Sequence, residues 1–194
     1  HSWTHTYPDK MGSYDAELKE YMDCSDIIEK TIGKRPKGYR SPAWEFGANT
    51  IDILEKMGDF EYSSNMMNTE NISYLKCGDR VTDMVELPIH WVLDDAAYWL
   101  YSLLTPGKCM QPLEAVENYW TSEFDALLDE YKEEVIEKGD SDHCFVLTCH
   151  PQIIGRPARI KMLDGLVSHM VETDSVQFMT GIEAADMYRK KNQR

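Results

Sequence analysis

The chain has 194 residues, 42% of them hydrophobic and 28% charged, enough for one sizeable core in a single domain spanning residues 1–194. Its net charge of −14 lacks the clustered Lys and Arg that bind phosphates, which argues against a nucleic-acid partner and against docking on anionic lipid. No run approaches the roughly 18 consecutive apolar residues of a membrane helix.

Residues Tyr14 to Ile32 predict an amphipathic helix, with Leu18, Tyr21, Met22, Ile27 and Ile28 near one face. Gly33 stops it and Pro36 follows. Gly38-Tyr39-Arg40-Ser41-Pro42 reads as a short strand running into a loop. Asn49 to Met57 reads as a helix capped by Asn49 or Thr50, and Tyr62-Ser63-Ser64 as a strand end. Met84 to Pro88 is strand-like. A helix over 96–104 and a turn at Pro106-Gly107 are expected next. In Leu113 to Lys138, apolar residues recur at three and four, the pattern of a long helix. Cys144 to Thr148 is a continuous apolar run, which predicts a strand buried on both faces. Helices over 158–171 and 181–190 flank a last strand, Val176 to Met179. Alternating strands and helices predict a parallel α/β sheet or barrel, with its chemistry at the C-terminal ends of the strands.

The chemistry-bearing residues follow that rule. His1 and His5 are four apart; on a helical turn they would point the same way and could share one divalent cation, or be two surface histidines. Arg40 follows one strand, Glu86 lies in another, Asp94 and Asp95 come soon after it, and His150 closes the apolar run. Asp94 and Asp95 read equally well as working acids and as helix caps. Five cysteines at irregular spacing, with no CxxC, favour reduced thiols in a cytoplasmic setting. The adjacent Cys149 and His150 are a weak nucleophile pair, because such a pair needs nearness in space rather than in sequence.

Taken in order, these pieces resemble one family. His1-Ser2-Trp3-Thr4-His5, Gly38-Tyr39-Arg40-Ser41-Pro42-Ala43-Trp44 and Leu147-Thr148-Cys149-His150-Pro151 resemble the HSxxH, RxP and closing-histidine motifs of the NodB-homology polysaccharide deacetylases, carbohydrate esterase family four. Trp44-Glu45-Phe46, the stretch from Val85 to Asp95 and the stretch from His150 to Pro157 are similar to its branch of peptidoglycan-deacetylase-like proteins, allantoinases and cyclic-imide hydrolases. The resemblance implies a distorted (β/α)₇ barrel and a metal-dependent amide hydrolase. It assigns zinc or another divalent ion to His1 and His5, and general acid or oxyanion stabiliser to His150. Arg40 would orient the acidic base, Trp44 and Trp91 would wall the substrate pocket, and Asp94 is carried over as a substrate-side residue. The implied substrate is an N-acetylated glycan or a small cyclic amide, and the implied assembly a homo-oligomer. The family's Asp pair, base and third metal ligand, has no counterpart ahead of His1. The expectation is therefore an N-terminally shortened barrel lacking its first strands, with weak metal binding and little turnover. A relict site on a binding or assembly module is the alternative.

Overall fold

The structure, a computed structural model, describes residues 1–100 and 110–192. The predicted turn at Pro106-Gly107, Cys109 and part of the helix expected over 96–104 lie outside the described residues. The chain folds into two compact units. One is His1–Pro88 with the C-terminal segment from Met179, and the other falls within Ile89–Phe178.

In the first unit, α1 (Tyr14–Ile32) starts at Ser13, whose hydroxyl accepts the Ala16 N–H at 3.2 Å. It ends on Gly33, at φ 75° with its N–H on the Glu29 carbonyl, a left-handed stop that glycine adopts freely. Four strands follow: β1 (Gly38–Tyr39), β2 (Tyr62–Ser63), β3 (Ser73–Cys77) and β4 (Arg80–Glu86), with α2 (Thr50–Met57) between β1 and β2. The sheet order is β1-β2-β4-β3. β1, β2 and β4 run parallel, and β3 is antiparallel to β4. The fold is thus mixed α/β with a parallel sheet at its centre. The Tyr62 ring of β2 covers Gly38 in β1: a Cβ there would come within 2.0 Å of the ring, so any larger residue would have to displace it. Tyr21, Tyr39, Ile53, Leu54, Leu75 and Met84 form the core. α7 (Gly181–Lys191) opens with a Thr180/Glu183 capping box and packs on β2 and β4.

β3 is a strand that the expected elements do not include, and its sequence signal is Gly78-Asp79 between two strand-forming runs, the turn of a hairpin.

The second unit is mainly helical: α3 (Asp95–Trp99), α4 (Leu113–Lys138), α5 (Pro151–Ile154) and α6 (Pro157–Glu172). Trp99, Val116, Trp120, Phe124, Ile153, Ile154, Met162, Leu166 and Met170 form its core. Two expectations fail here. The run Cys144 to Thr148 is half-buried, and among the described residues its only pairing is one parallel bridge from Thr148 to Asp94. Val176 to Met179 forms no strand, and Phe178 is 61% exposed. Apolar runs show that a segment favours cover, but not that a neighbouring strand supplies it. Among the described residues, no helix is long and apolar enough to cross a membrane.

Candidate active site

The first unit carries the histidine pair. Residues 1–5 are not helical: Ser2 and His5 sit at φ 58° and 59°, so an irregular turn, not a helical face, brings the rings together. Their centroids are 4.8 Å apart, edge to face. Thr4 ties the turn to α1 by donating its hydroxyl to Glu20 at 2.7 Å. His1 Nδ1 lies 2.9 Å from the Arg40 carbonyl oxygen. A carbonyl only accepts, so Nδ1 carries the proton and Nε2 keeps its lone pair, the tautomer of a metal-ligating histidine with an outer partner. Two imidazoles suit zinc, but they are one short of the three protein ligands usual at a catalytic site. Among the described residues, no third His, Cys, Asp or Glu ligand atom joins them in a cluster.

Arg40 stands just past β1. Its Nη2 donates to Ser64 Oγ at 2.7 Å and its Nε to the Ser64 carbonyl at 3.3 Å. Trp44, expected as a pocket wall, is only 6% exposed and lies at φ 61° directly after Ala43 at φ 51°. Glu86 ends β4 with its side chain buried. Oε1 accepts the N–H groups of Asn65 and Met66 at 2.6 and 2.8 Å, while Oε2 is buried and makes no hydrogen bond of good geometry among the described residues. Burial pushes the Glu86 carboxyl above its ordinary value, against the pull of the Asn65 N–H and the Arg40 charge. A raised carboxyl favours the folded state fully below its unfolded value and loses that contribution as pH rises through its folded value. The stability of the wild type relative to Glu86→Gln should therefore fall from about pH 4 to about pH 7. Urea unfolding at both pH values measures this, and a constant difference would contradict it.

The second unit carries the other half of the predicted set. Asp94 Oδ1 accepts the Ala96 N–H at 2.6 Å, so the helix-cap reading holds for Asp94. Burial pushes its carboxyl upward. Asp95 is 0% exposed and grips His150 twice: Oδ2 accepts the backbone N–H at 2.9 Å, and Oδ1 lies 2.6 Å from Nδ1. The Asp94–Thr148 bridge brings the two segments together, with Thr148 N–H on the Leu93 carbonyl at 2.7 Å and Asp95 N–H on the Thr148 carbonyl at 3.1 Å. Trp91, expected at the pocket, is 42% exposed.

Ligand atoms of Asp94, Asp95 and His150 lie within 4.8 Å of one another, a spacing that could also hold a cation. Both Asp95 oxygens already accept from His150, and Asp94 caps α3, so the set reads as a proton-handling group. Burial and the two carboxylates push the Cys149 thiol up to about 12, which disfavours the Cys149–His150 nucleophile reading. Asp95 as the partner of His150 is what sequence reasoning missed. The adjacent acids after a strand-like segment were the only signal.

Known proteins with similar chains agree with the motifs. No family-level sequence profile matches. The peptidoglycan deacetylase of Helicobacter pylori is 26% identical over an alignment covering 100% of this chain and 70% of that protein. A Mycobacterium smegmatis protein assigned as a polysaccharide deacetylase has a similar crystal structure, with TM-score 0.84, 26% identity and 100% coverage of this chain. An allantoinase shares the fold alone, with TM-score 0.76 at 17% identity. The chain spans 63% and 59% of the length of those two solved structures. In its ordered motifs, its parallel sheet and its alignment with relatives along its whole length, the chain is similar to the polysaccharide deacetylases.

Proposed function

We propose that the protein is a metal-dependent hydrolase of non-peptide carbon–nitrogen bonds, built on a (β/α) barrel, that removes N-acetyl groups from the amino sugars of a glycan. The observation that carries this reading is the buried Asp95 carboxylate holding His150 at two points, the arrangement of an oriented general acid. With Nδ1–H held by Asp95, His150 would give a proton from Nε2 to the leaving nitrogen when its ring carries a proton on both nitrogens, a cation that the Asp95 carboxylate favours. His1 and His5 would hold the metal, with a third ligand from outside the described residues. When bound, the ion supplies Lewis-acid polarisation of the amide carbonyl and an activated water. Arg40, fixed by Ser64, would orient the acidic base.

The glycan is favoured because the relative aligned along the whole chain is a peptidoglycan deacetylase. The allantoinase fold match supports a second reading, ring opening of a small cyclic amide. The cysteine pattern supports a cytoplasmic location, and the branch resemblance supports a homo-oligomer.

The test uses the intact protein. Acetate released from N-acetylated chito-oligosaccharides, and not ring opening of allantoin or a cyclic imide, is the expected result; the reverse selects the second reading. Neither activity, with full metal occupancy, would sink both. His5→Ala should reduce bound zinc to a small fraction of the wild-type amount. Equal zinc in the two proteins would refute the ligand role.

A further inference from the structure

Arg40, Ser64 and Glu86 sit at the C-terminal ends of three neighbouring parallel strands: Arg40 just after β1, Ser64 just after β2, and Glu86 as the last residue of β4. The register pairs Ser63 with Glu86, so the chain leaving β2 passes directly beside the Glu86 carboxyl. There Oε1 takes two consecutive N–H groups, Asn65 at 2.6 Å and Met66 at 2.8 Å. An acceptor carboxyl that gathers two neighbouring N–H groups fixes the path of that backbone.

Asn65 locks the same segment from the other side. Its Oδ1 accepts the Ser41 N–H at 2.7 Å, and its Nδ2 donates to the Tyr39 carbonyl at 3.1 Å and to Ser63 Oγ at 2.8 Å. The Ser64 N–H donates to the Tyr39 carbonyl at 3.1 Å. Ser64 is then left presenting its hydroxyl and its carbonyl to the Arg40 guanidinium.

The second carboxyl oxygen is buried and makes no hydrogen bond of good geometry among the described residues, the Ser63 hydroxyl being a further polar group that acts on this carboxyl. A buried, incompletely satisfied acceptor is unfavourable for stability, so this carboxyl is poorly explained as a stabilising core group. Its Oε1, in contrast, sets the backbone geometry of two successive residues, Asn65 and Met66.

We infer that Glu86 is a positioning residue for Arg40, acting through the segment Ser64-Asn65-Met66. This rests on the hydrolase reading only in giving Arg40 work to do. The grip itself is geometric and can be tested without turnover.

Two readouts on the intact protein separate the cases. The first is the reaction of Arg40 with phenylglyoxal, followed by peptide mass spectrometry with Arg156 as the internal reference. Glu86→Ala should raise Arg40 labelling relative to Arg156, whereas Glu86→Gln, which keeps an acceptor for both N–H groups, should raise it far less. The second is hydrolysis of N-acetylated chito-oligosaccharides. Glu86→Ala should lower kcat about tenfold with KM within about twofold and bound zinc unchanged, because a small misorientation acts on the chemical step. Glu86→Gln should recover most of that loss. In an Arg40→Ala background, Glu86→Ala should add little, the non-additivity expected of one coupled unit.

Unchanged Arg40 labelling, equal effects of the Gln and Ala variants, or full additivity with Arg40→Ala would each overturn the inference. If Glu86→Ala does not fold, Ser64→Ala cuts the same chain one link later and should raise Arg40 labelling by itself; labelling at the wild-type rate there also overturns it. A wild type that hydrolyses neither substrate class defeats the hydrolase reading, and the labelling result still decides the positioning role.

Discussion

Asp95→Asn is expected to lower kcat by about 10²- to 10³-fold in a protein that remains folded. Asp95 is buried and accepts two hydrogen bonds from the same residue, His150 N–H and Nδ1. An asparagine can keep only one of these as an acceptor. If its oxygen stays on the backbone N–H, its NH₂ faces Nδ1, the ring must accept there, and the proton moves to Nε2. If the amide turns the other way, the backbone N–H meets a donor and the His150 main chain shifts. Either way the imidazole loses its tautomer or its place. Asp94→Asn makes a useful contrast, because asparagine caps helices about as well as aspartate. Steady-state kinetics with circular dichroism on both variants checks the difference. Equal losses from the two would show that Asp95 has no special hold on His150.

Trp120→Ala is expected to cost about 3–5 kcal/mol, measured by urea unfolding. The Trp120 side chain is 0% exposed and packs edge to face with Trp99 and Tyr98, with ring centroids 5.7 and 6.1 Å away. Its indole N–H also donates to the Val92 carbonyl at 2.9 Å, where the Tyr98 hydroxyl donates at the same distance. Val92 lies two residues before Asp94, so the indole supports the turn from which Asp94 and Asp95 project. Turnover should fall along with stability. Trp120→Phe keeps most of the ring but removes the N–H, and Tyr98 still satisfies the carbonyl. That variant should lose only about 1–2 kcal/mol, and a loss as large as that of alanine would mean that the hydrogen bond, not the packing, dominates.

The long helices were legible because local rules determine them. α1 and α4 run over the residues that their apolar spacing indicates, and Gly33 closes α1 as expected. The strands were less legible. β1 and β2 are two residues each, too short for alternation to register, and the run at 144–148 carried the composition of a buried strand without the pairing. The site divided in the same way. His150 could be read from its position at the end of an apolar run. Asp95, 55 residues away in sequence, could not be matched to it by any spacing argument. The histidine pair was found for a reason that did not hold: the rings meet through left-handed residues at Ser2 and His5 rather than along a helix. Ser64 and Glu86 matter to Arg40 only because parallel strands align their ends, and that alignment exists only after folding.

The backbone at Ala43 and Trp44 has a further consequence. Two successive non-glycine residues at φ 51° and 61° occupy a conformation that costs roughly 1 kcal/mol or more each. The segment does not favour that shape by itself; burial of the Trp44 side chain holds it. Such a turn behaves like a latch held closed by its frame. Mild heating or low denaturant should release it while α1 and the sheet still give a folded spectrum. The surroundings of the Trp44 ring should therefore change before helix content is lost, and the indole will report damage to the frame earlier than any measurement of the helices.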